Sequence, residues 1–93
     1  MTNEVEIEFD PAKDAKNVAK HGLSLKQAHD FEWDVARIEE DSRGVYPERR
    51  FKATSMIGER LHELVYCLRN ESIRVISLRK SNSREVKKYA DPN

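Results

Sequence analysis

Residues 50–80 read RFKATSMI (50–57), GER (58–60), LHELVYCLR (61–69), NES (70–72) and IRVISLRK (73–80). In the first run, Phe51, Ala53, Ser55 and Ile57 alternate with Lys52, Thr54 and Met56, the period of two that marks a half-buried strand. Gly58-Glu59-Arg60 and Asn70-Glu71-Ser72 are connections so short that they join only antiparallel neighbours. Arg50 to Ile57, Leu61 to Arg69 and Ile73 to Arg79 are therefore three strands of one meander.

Upstream of the meander, Val5, Ile7 and Phe9 alternate with Glu4, Glu6 and Glu8, which predicts a first strand. Asp10-Pro11 ends that strand and opens a helix, with Asp10 suited to the cap and Pro11 to the first helical position. Ala12, Ala15, Val18 and Ala19 form a narrow apolar stripe at helical spacing, and Gly22 supplies the left-handed residue that stops the helix. Ser24 to Gln27 reads as a capping box opening a second short helix, with Leu25, Ala28 and Phe31 turned inward. Trp33 to Glu40 reads as a short strand, and Asp41 to Glu48, with Gly44 and Pro47, as a loop. Downstream, Asn82 caps a last helix to Ala90, with Glu85 in its first turn and Val86, Tyr89 and Ala90 at i, i+3, i+4. The expected order is β-α-α-β-β-β-β-α: one α+β domain over residues 1–93, an antiparallel meander with two N-terminal helices and one C-terminal helix.

The apolar fraction, 38%, barely exceeds the charged fraction, 37%, so the core should be thin and the stability modest. No run approaches the ~20 apolar residues of a membrane span, and no basic-then-apolar leader is evident at the N-terminus. The single cysteine, Cys67, lies in an apolar run; it reads as a small buried hydrophobe and suits a reducing cytoplasm. His21, His29 and His62 form no His-x-x-x-His pair, and there is no Gly-rich phosphate loop, so neither a metal nor a cofactor is expected.

Charge is the strongest functional signal. Met1 to Glu48 holds 12 Asp/Glu against 6 Lys/Arg, and Arg49 to Asn93 holds 11 Lys/Arg against 5 Asp/Glu, although the formal net charge is zero. A cluster of arginines at one end of a domain suits a polyanion, phosphates above all. Arg74 and Arg79 can clamp a phosphodiester, because guanidinium groups offer planar, multi-donor contacts and stay charged. Their odd spacing sends them to opposite faces of an unbroken strand, so convergence requires a bulge or a strand end near Leu78. The alternative is that one of them is spent on an ion pair with the acidic N-terminal segment. Lys80, Arg84, Lys87 and Lys88 extend the basic surface along the last helix, where Tyr89 is either a core anchor or a base-stacking platform.

Three ordered segments resemble a known family, the BrnT-type toxins of bacterial type II toxin–antitoxin pairs. They are Phe9-Asp10-Pro11-Ala12-Lys13 with Asn17 and Lys20-His21-Gly22-Leu23-Ser24-Leu25; Glu48-Arg49-Arg50-Phe51; and Ile73 to Lys80 with Arg84-Glu85 and Tyr89. Leu78 departs from the pattern, which usually has a small residue after the serine. The resemblance implies a RelE-like fold and a metal-independent ribonuclease that cleaves mRNA and stops growth. It also implies a cognate antitoxin (BrnA-like), through which alone operator DNA would be bound. By position in these segments it implies phosphate and transition-state roles for Arg50, Arg74 and Arg79, and RNA contacts from Lys80, Arg84 and Tyr89, to which the basic stretch adds Lys87 and Lys88.

Cleavage by attack of the ribose 2′-hydroxyl needs a base, charge stabilisation at phosphorus and an acid. The arginines supply the second; Glu48, Glu63, His21 and His62 are candidates for the others. The rival expectation is a non-catalytic module that binds RNA or antitoxin and acts in operon autoregulation.

Overall fold

The computed structural model describes residues 6–91. Strand β1 (Ile7–Glu8) leads to helix α1 (Pro11–His21), and two 3₁₀ segments (Leu25–Asp30 and Trp33–Val35) precede β2 (Arg37–Asp41). Strands β3 (Arg50–Ile57), β4 (Arg60–Arg69) and β5 (Ser72–Lys80) and helix α2 (Ser83–Ala90) complete the order. Val5, counted in the first strand, lies outside the described residues.

One sheet holds all five strands in the order β1-β5-β4-β3-β2. β2 to β5 are the antiparallel meander, whereas β1 lies parallel to β5, with Ile7 opposite Ile73 and Glu8 opposite Arg74. The meander follows from its tight turns: Gly58 takes φ 61°, and Asn70 takes φ 58° in the other hairpin, a conformation asparagine tolerates.

Alternation divides the sheet into two faces. Phe51, Ala53, Leu64, Tyr66, Val75 and Leu78 pack on one, against Leu23, Leu25, Ala28 and Phe31 of the segment after α1. Trp33 seals its margin, meeting Phe31 and Tyr66 edge-on at 4.9 and 5.5 Å and donating its indole N–H to the Ala28 carbonyl. The second helix of the sequence reading is a 3₁₀ segment that still turns Leu25, Ala28 and Phe31 inward. Ser24 caps it by accepting from the Lys26 N–H, and Asp14 accepts from the Leu25 N–H and the Ser24 hydroxyl; Gln27 does not reciprocate as a capping box would.

In α1 the alanine stripe does not reach the core. Ala12, Ala15, Val18 and Ala19 are exposed, and Asn17 is the buried residue. Its amide donates to the Leu78 and Leu23 carbonyls at 2.8 Å each and accepts from the Leu78 N–H at 3.0 Å. β1 is only two residues long, so beyond Arg74 the edge of β5 would be bare. Asn17 occupies that edge and satisfies a backbone donor and acceptor as a neighbouring strand would. Asp10 and Pro11 begin α1 and Gly22, at φ 73°, ends it, as its sequence signals indicate.

α2 has a complete capping box between Asn82 and Glu85 but buries no residue. The expected inward trio is revised accordingly: Val86 is 42% exposed, Ala90 is exposed, and Tyr89 is half-buried. α2 is held by polar contacts over the second face of the sheet.

Candidate functional site

The second face is built by parity. On β4, Glu63, Val65 and Cys67 alternate with core residues; on β3, Arg50, Lys52 and Thr54 do so; on β2, Arg37, Glu39 and Asp41 pair with these in register. β5 joins them through a bulge. Tyr66 pairs with Val75 and Val65 with Ser77, which leaves Ile76 as an extra residue. The ladder slips by one there, so Val75 and Leu78 are both core residues although three apart. The same slip puts Arg74 and Arg79 on the same face, as convergence required. Leu78 is wholly buried, which places its bulk in the core rather than over the site.

Sharing a face is not sharing a pocket. Arg74 lies in the row of Cys67 and Arg50, and Arg79 in the row of Glu63 and Thr54. They stand five positions apart, roughly 15 Å of strand. Arg74 donates to the Glu8 carboxylate at 2.7 Å, fastening β1 to β5. Thus the acidic N-terminal segment does engage one arginine of the pair. Arg50 stacks on the Tyr46 ring at 3.9 Å and lines a separate hollow of about 260 Å³ with Glu48 and Arg49. Its Nε is buried and meets no hydrogen-bond partner among the described residues.

Arg79 lines a hollow of about 200 Å³ in which Lys20 and His21 from the end of α1, Arg43 from the β2–β3 loop, and Lys52 from β3 also meet. Glu63, Val65 and Ser77 complete its lining. Four cations around one small hollow would repel one another, and carboxylates hold them apart. Glu85 takes both Arg79 terminal nitrogens, at 2.8 and 2.7 Å, and lies 3.7 Å from the Lys52 ammonium. That arginine, with the Asn82 N–H, holds the Glu85 carboxyl well below the usual range, at about 2. Glu63 is 3% exposed and accepts from the Thr54 and Ser81 hydroxyls, with Lys52 at 3.7 Å. Arg43 is anchored by a bidentate pair with the buried Asp41, whose carboxyl it likewise holds at about 2. Of the hollow's cations, Lys20 alone has no hydrogen-bond or ion-pair partner among the described residues.

His21 is the titratable group of this hollow suited to proton transfer. Partial burial, then the Lys20 and Arg79 charges, lower its pKa, so the imidazole is neutral and basic at physiological pH. The other three candidates are placed elsewhere or already engaged. His62 is 3% exposed on the core face, its Nδ1 2.8 Å from the Arg60 carbonyl. Glu63 already accepts from two hydroxyls, and Glu48 sits at the Arg50 end, 3.5 Å from the Cys67 Sγ. Cys67 is buried, as expected, and burial raises its thiol pKa.

The predicted RNA contacts divide. Lys80 pairs with His62, so its parity directs it away from the site face. Arg84 and Lys87 are exposed on α2. Lys88 and Tyr89 line a larger groove of about 470 Å³ between α2 and the sheet, and Arg37 stacks on the Tyr89 ring at 4.5 Å. Lys20, Arg43 and Lys52 were not singled out from sequence as site residues. Lys52 had a signal in its out-facing parity on β3; Arg43, in a loop, had none.

Four cations beside a histidine on the polar sheet face of a small α+β domain suit a protein that receives an anionic ligand. The family model described as "Ribonuclease toxin, BrnT, of type II toxin-antitoxin system" matches residues 9–85, and the chain belongs to that family. Among solved structures, the Brucella abortus ribonuclease toxin BrnT is similar in fold, with a TM-score of 0.67 at 21% identity over 86% of this chain and 100% of that one. No curated protein sequence matches.

Proposed function

We propose that the chain is an endoribonuclease that cleaves single-stranded mRNA without a metal, with the hollow between α1, β3 and β5 as its centre. The observation that carries this reading is the convergence of Lys20, Arg43, Lys52 and Arg79 on one hollow beside His21. A phosphodiester entering the hollow takes donors from Arg79 and the ammonium of Lys52 or Lys20. His21 accepts the 2′-hydroxyl proton as the 2′-oxygen bonds to phosphorus; the bond to the 5′-oxygen breaks, that oxygen takes a proton from water, and a 2′,3′-cyclic phosphate remains, while the cations stabilise the extra negative charge that develops on the phosphoryl oxygens. Four fixed positive groups supply the electrostatic help that a metal gives elsewhere. Arg50 and Arg74, on the same face but outside the hollow, act on the flanking backbone and on the anchoring of β1. Arg84, Lys87 and Lys88 extend the track for RNA, and Lys80 stands apart from it.

Membership of a type II toxin family pairs this chain with an antitoxin. The reading extends to a cytoplasmic toxin that halts translation and growth. Its cognate BrnA-like partner covers the cationic face and carries the contacts to operator DNA.

The test is incubation of purified protein with a defined single-stranded RNA in EDTA. Cleavage should persist with chelator and fall by about 100-fold or more in Arg79→Ala. RNA that stays intact while still bound would leave a binding module instead of an enzyme.

A further inference from the structure

The groove under α2, of about 470 Å³, adjoins the cationic hollow: Lys52 and Glu63 line both. Its lining includes the Arg37 guanidinium, which lies 4.5 Å over the Tyr89 ring and is tied down by a 3.0 Å hydrogen bond to the Tyr89 carbonyl. Planar cation and ring surfaces of this kind stack unpaired nucleobases. A nucleobase needs much less than the 470 Å³ available.

Among the groove's charged side chains, Arg37, Lys52, Glu63 and Glu85 are each engaged in hydrogen bonds or ion pairs. Glu39 and Lys88 are not, among the described residues. The groove therefore offers one free carboxylate and one free ammonium beside the Arg37–Tyr89 stack. A carboxylate accepts two parallel hydrogen bonds from a group with adjacent N–H donors. Guanine has that pair in N1–H and the N2 amino group, and beside it carries the acceptors O6 and N7, which match an ammonium. Adenine and cytosine each bring only one exocyclic amino group, and uracil a single N–H.

We propose that this groove is a base-recognition subsite that selects guanine next to the bond being cut. Glu39 accepts from N1–H and N2–H, Lys88 donates to O6 or N7, and the Arg37–Tyr89 stack carries the ring. The proposal rests on the ribonuclease reading above, and it makes Glu39 and Lys88 determinants of specificity rather than of chemistry.

The experiment is calorimetric titration of the protein with the 3′,5′-bisphosphates of guanosine, inosine, adenosine and cytidine, alongside mapping of cut sites in a mixed-sequence RNA. Guanosine should bind at least about tenfold more tightly than adenosine or cytidine. Inosine, which lacks the N2 amino group, should fall between. Cut sites should adjoin guanosine. Glu39→Gln should close most of the gap, because a glutamine amide favours adenine, and Lys88→Met should reduce guanosine binding selectively. Both residues are exposed, so the folded state should survive either change. Arg79→Met should weaken all four nucleotides alike. Equal affinities for the four ligands, or a guanosine preference unchanged in both groove variants, overturn the base subsite and leave the ribonuclease standing. Failure of every bisphosphate to bind, together with uncut RNA, overturns both.

Discussion

Asn17→Ala tests the idea that a side chain completes the sheet. The substitution removes three hydrogen bonds, two to the Leu78 backbone and one to the Leu23 carbonyl, from a residue only 5% exposed. Leu78 is wholly buried, so its N–H and C=O lose their partner where water has little access. Each unsatisfied group costs about 1–3 kcal/mol, and partial rehydration at the sheet edge brings the expected loss to roughly 3–5 kcal/mol. In a domain of this size, each kcal/mol shifts Tm by about 4–8 °C, so the midpoint should drop by at least about 12 °C. Asn17→Asp sharpens the test. It keeps an acceptor for the Leu78 N–H but turns carboxylate oxygen toward two carbonyls, which with burial raises its folded pKa above the unfolded value of about 3.9. A raised pKa means the variant's stability is fully present below about pH 3.9 and is lost as pH climbs through the folded pKa. Its deficit against the parent should therefore widen with increasing pH. Urea unfolding at several pH values measures both variants. An alanine variant within about 1 kcal/mol of the parent, or an aspartate deficit that ignores pH, refutes the strand-substitute role.

The remaining expectations concern the charged face. Arg74→Met should speed amide exchange in β1 while most cleavage survives, because Arg74 pairs with Glu8 outside the hollow; equal loss in Arg74→Met and Arg79→Met would contradict the division of the two rows. His21→Asn should lower cleavage by about 100-fold and abolish the acid limb of the pH–rate profile, which in the parent lies below pH 6.5 because the imidazole pKa is lowered. Asp41 and Glu85 are both held at about 2, below their ordinary values of 3.8 and 4.5, so their stabilisation is present above those values and disappears as pH falls toward 2. Acid unfolding in that window should shrink in the double variant Arg79→Met/Glu85→Met; an unaltered acid transition would exclude the Glu85 contribution.

The meander was legible because alternation in residues 50–57 and two short turns admit a single arrangement. The ends of α1 were legible for a comparable reason: Asp10, Pro11 and Gly22 act through local backbone geometry. Asn17 was not, since a polar residue that completes a distant edge differs from a solvated one only in three dimensions. Its neighbours misled in the opposite direction, because alanines at helical spacing satisfy helix propensity whether or not anything packs on them. The parallel seat of β1 has no sequence signal of its own. At the site, parity showed that Arg74 and Arg79 required a break in the strand, but Val75-Ile76 is apolar on both sides of it and conceals where the break falls. Arg43 arrives on a loop, where no periodicity assigns a face.

The bulge at Ile76 leaves the two ends of β5 out of phase. Ironing the bulge out with all nine residues of β5 held in regular alternation would swing Arg79 into the oily layer and expel Leu78. Deleting Ile76 outright, by contrast, leaves Arg74 and Arg79 an even four positions apart, so a shortened β5 should keep both faces and still unfold cooperatively. The kink, not the identity of the residue inside it, is what reconciles an odd count with a two-sided strand.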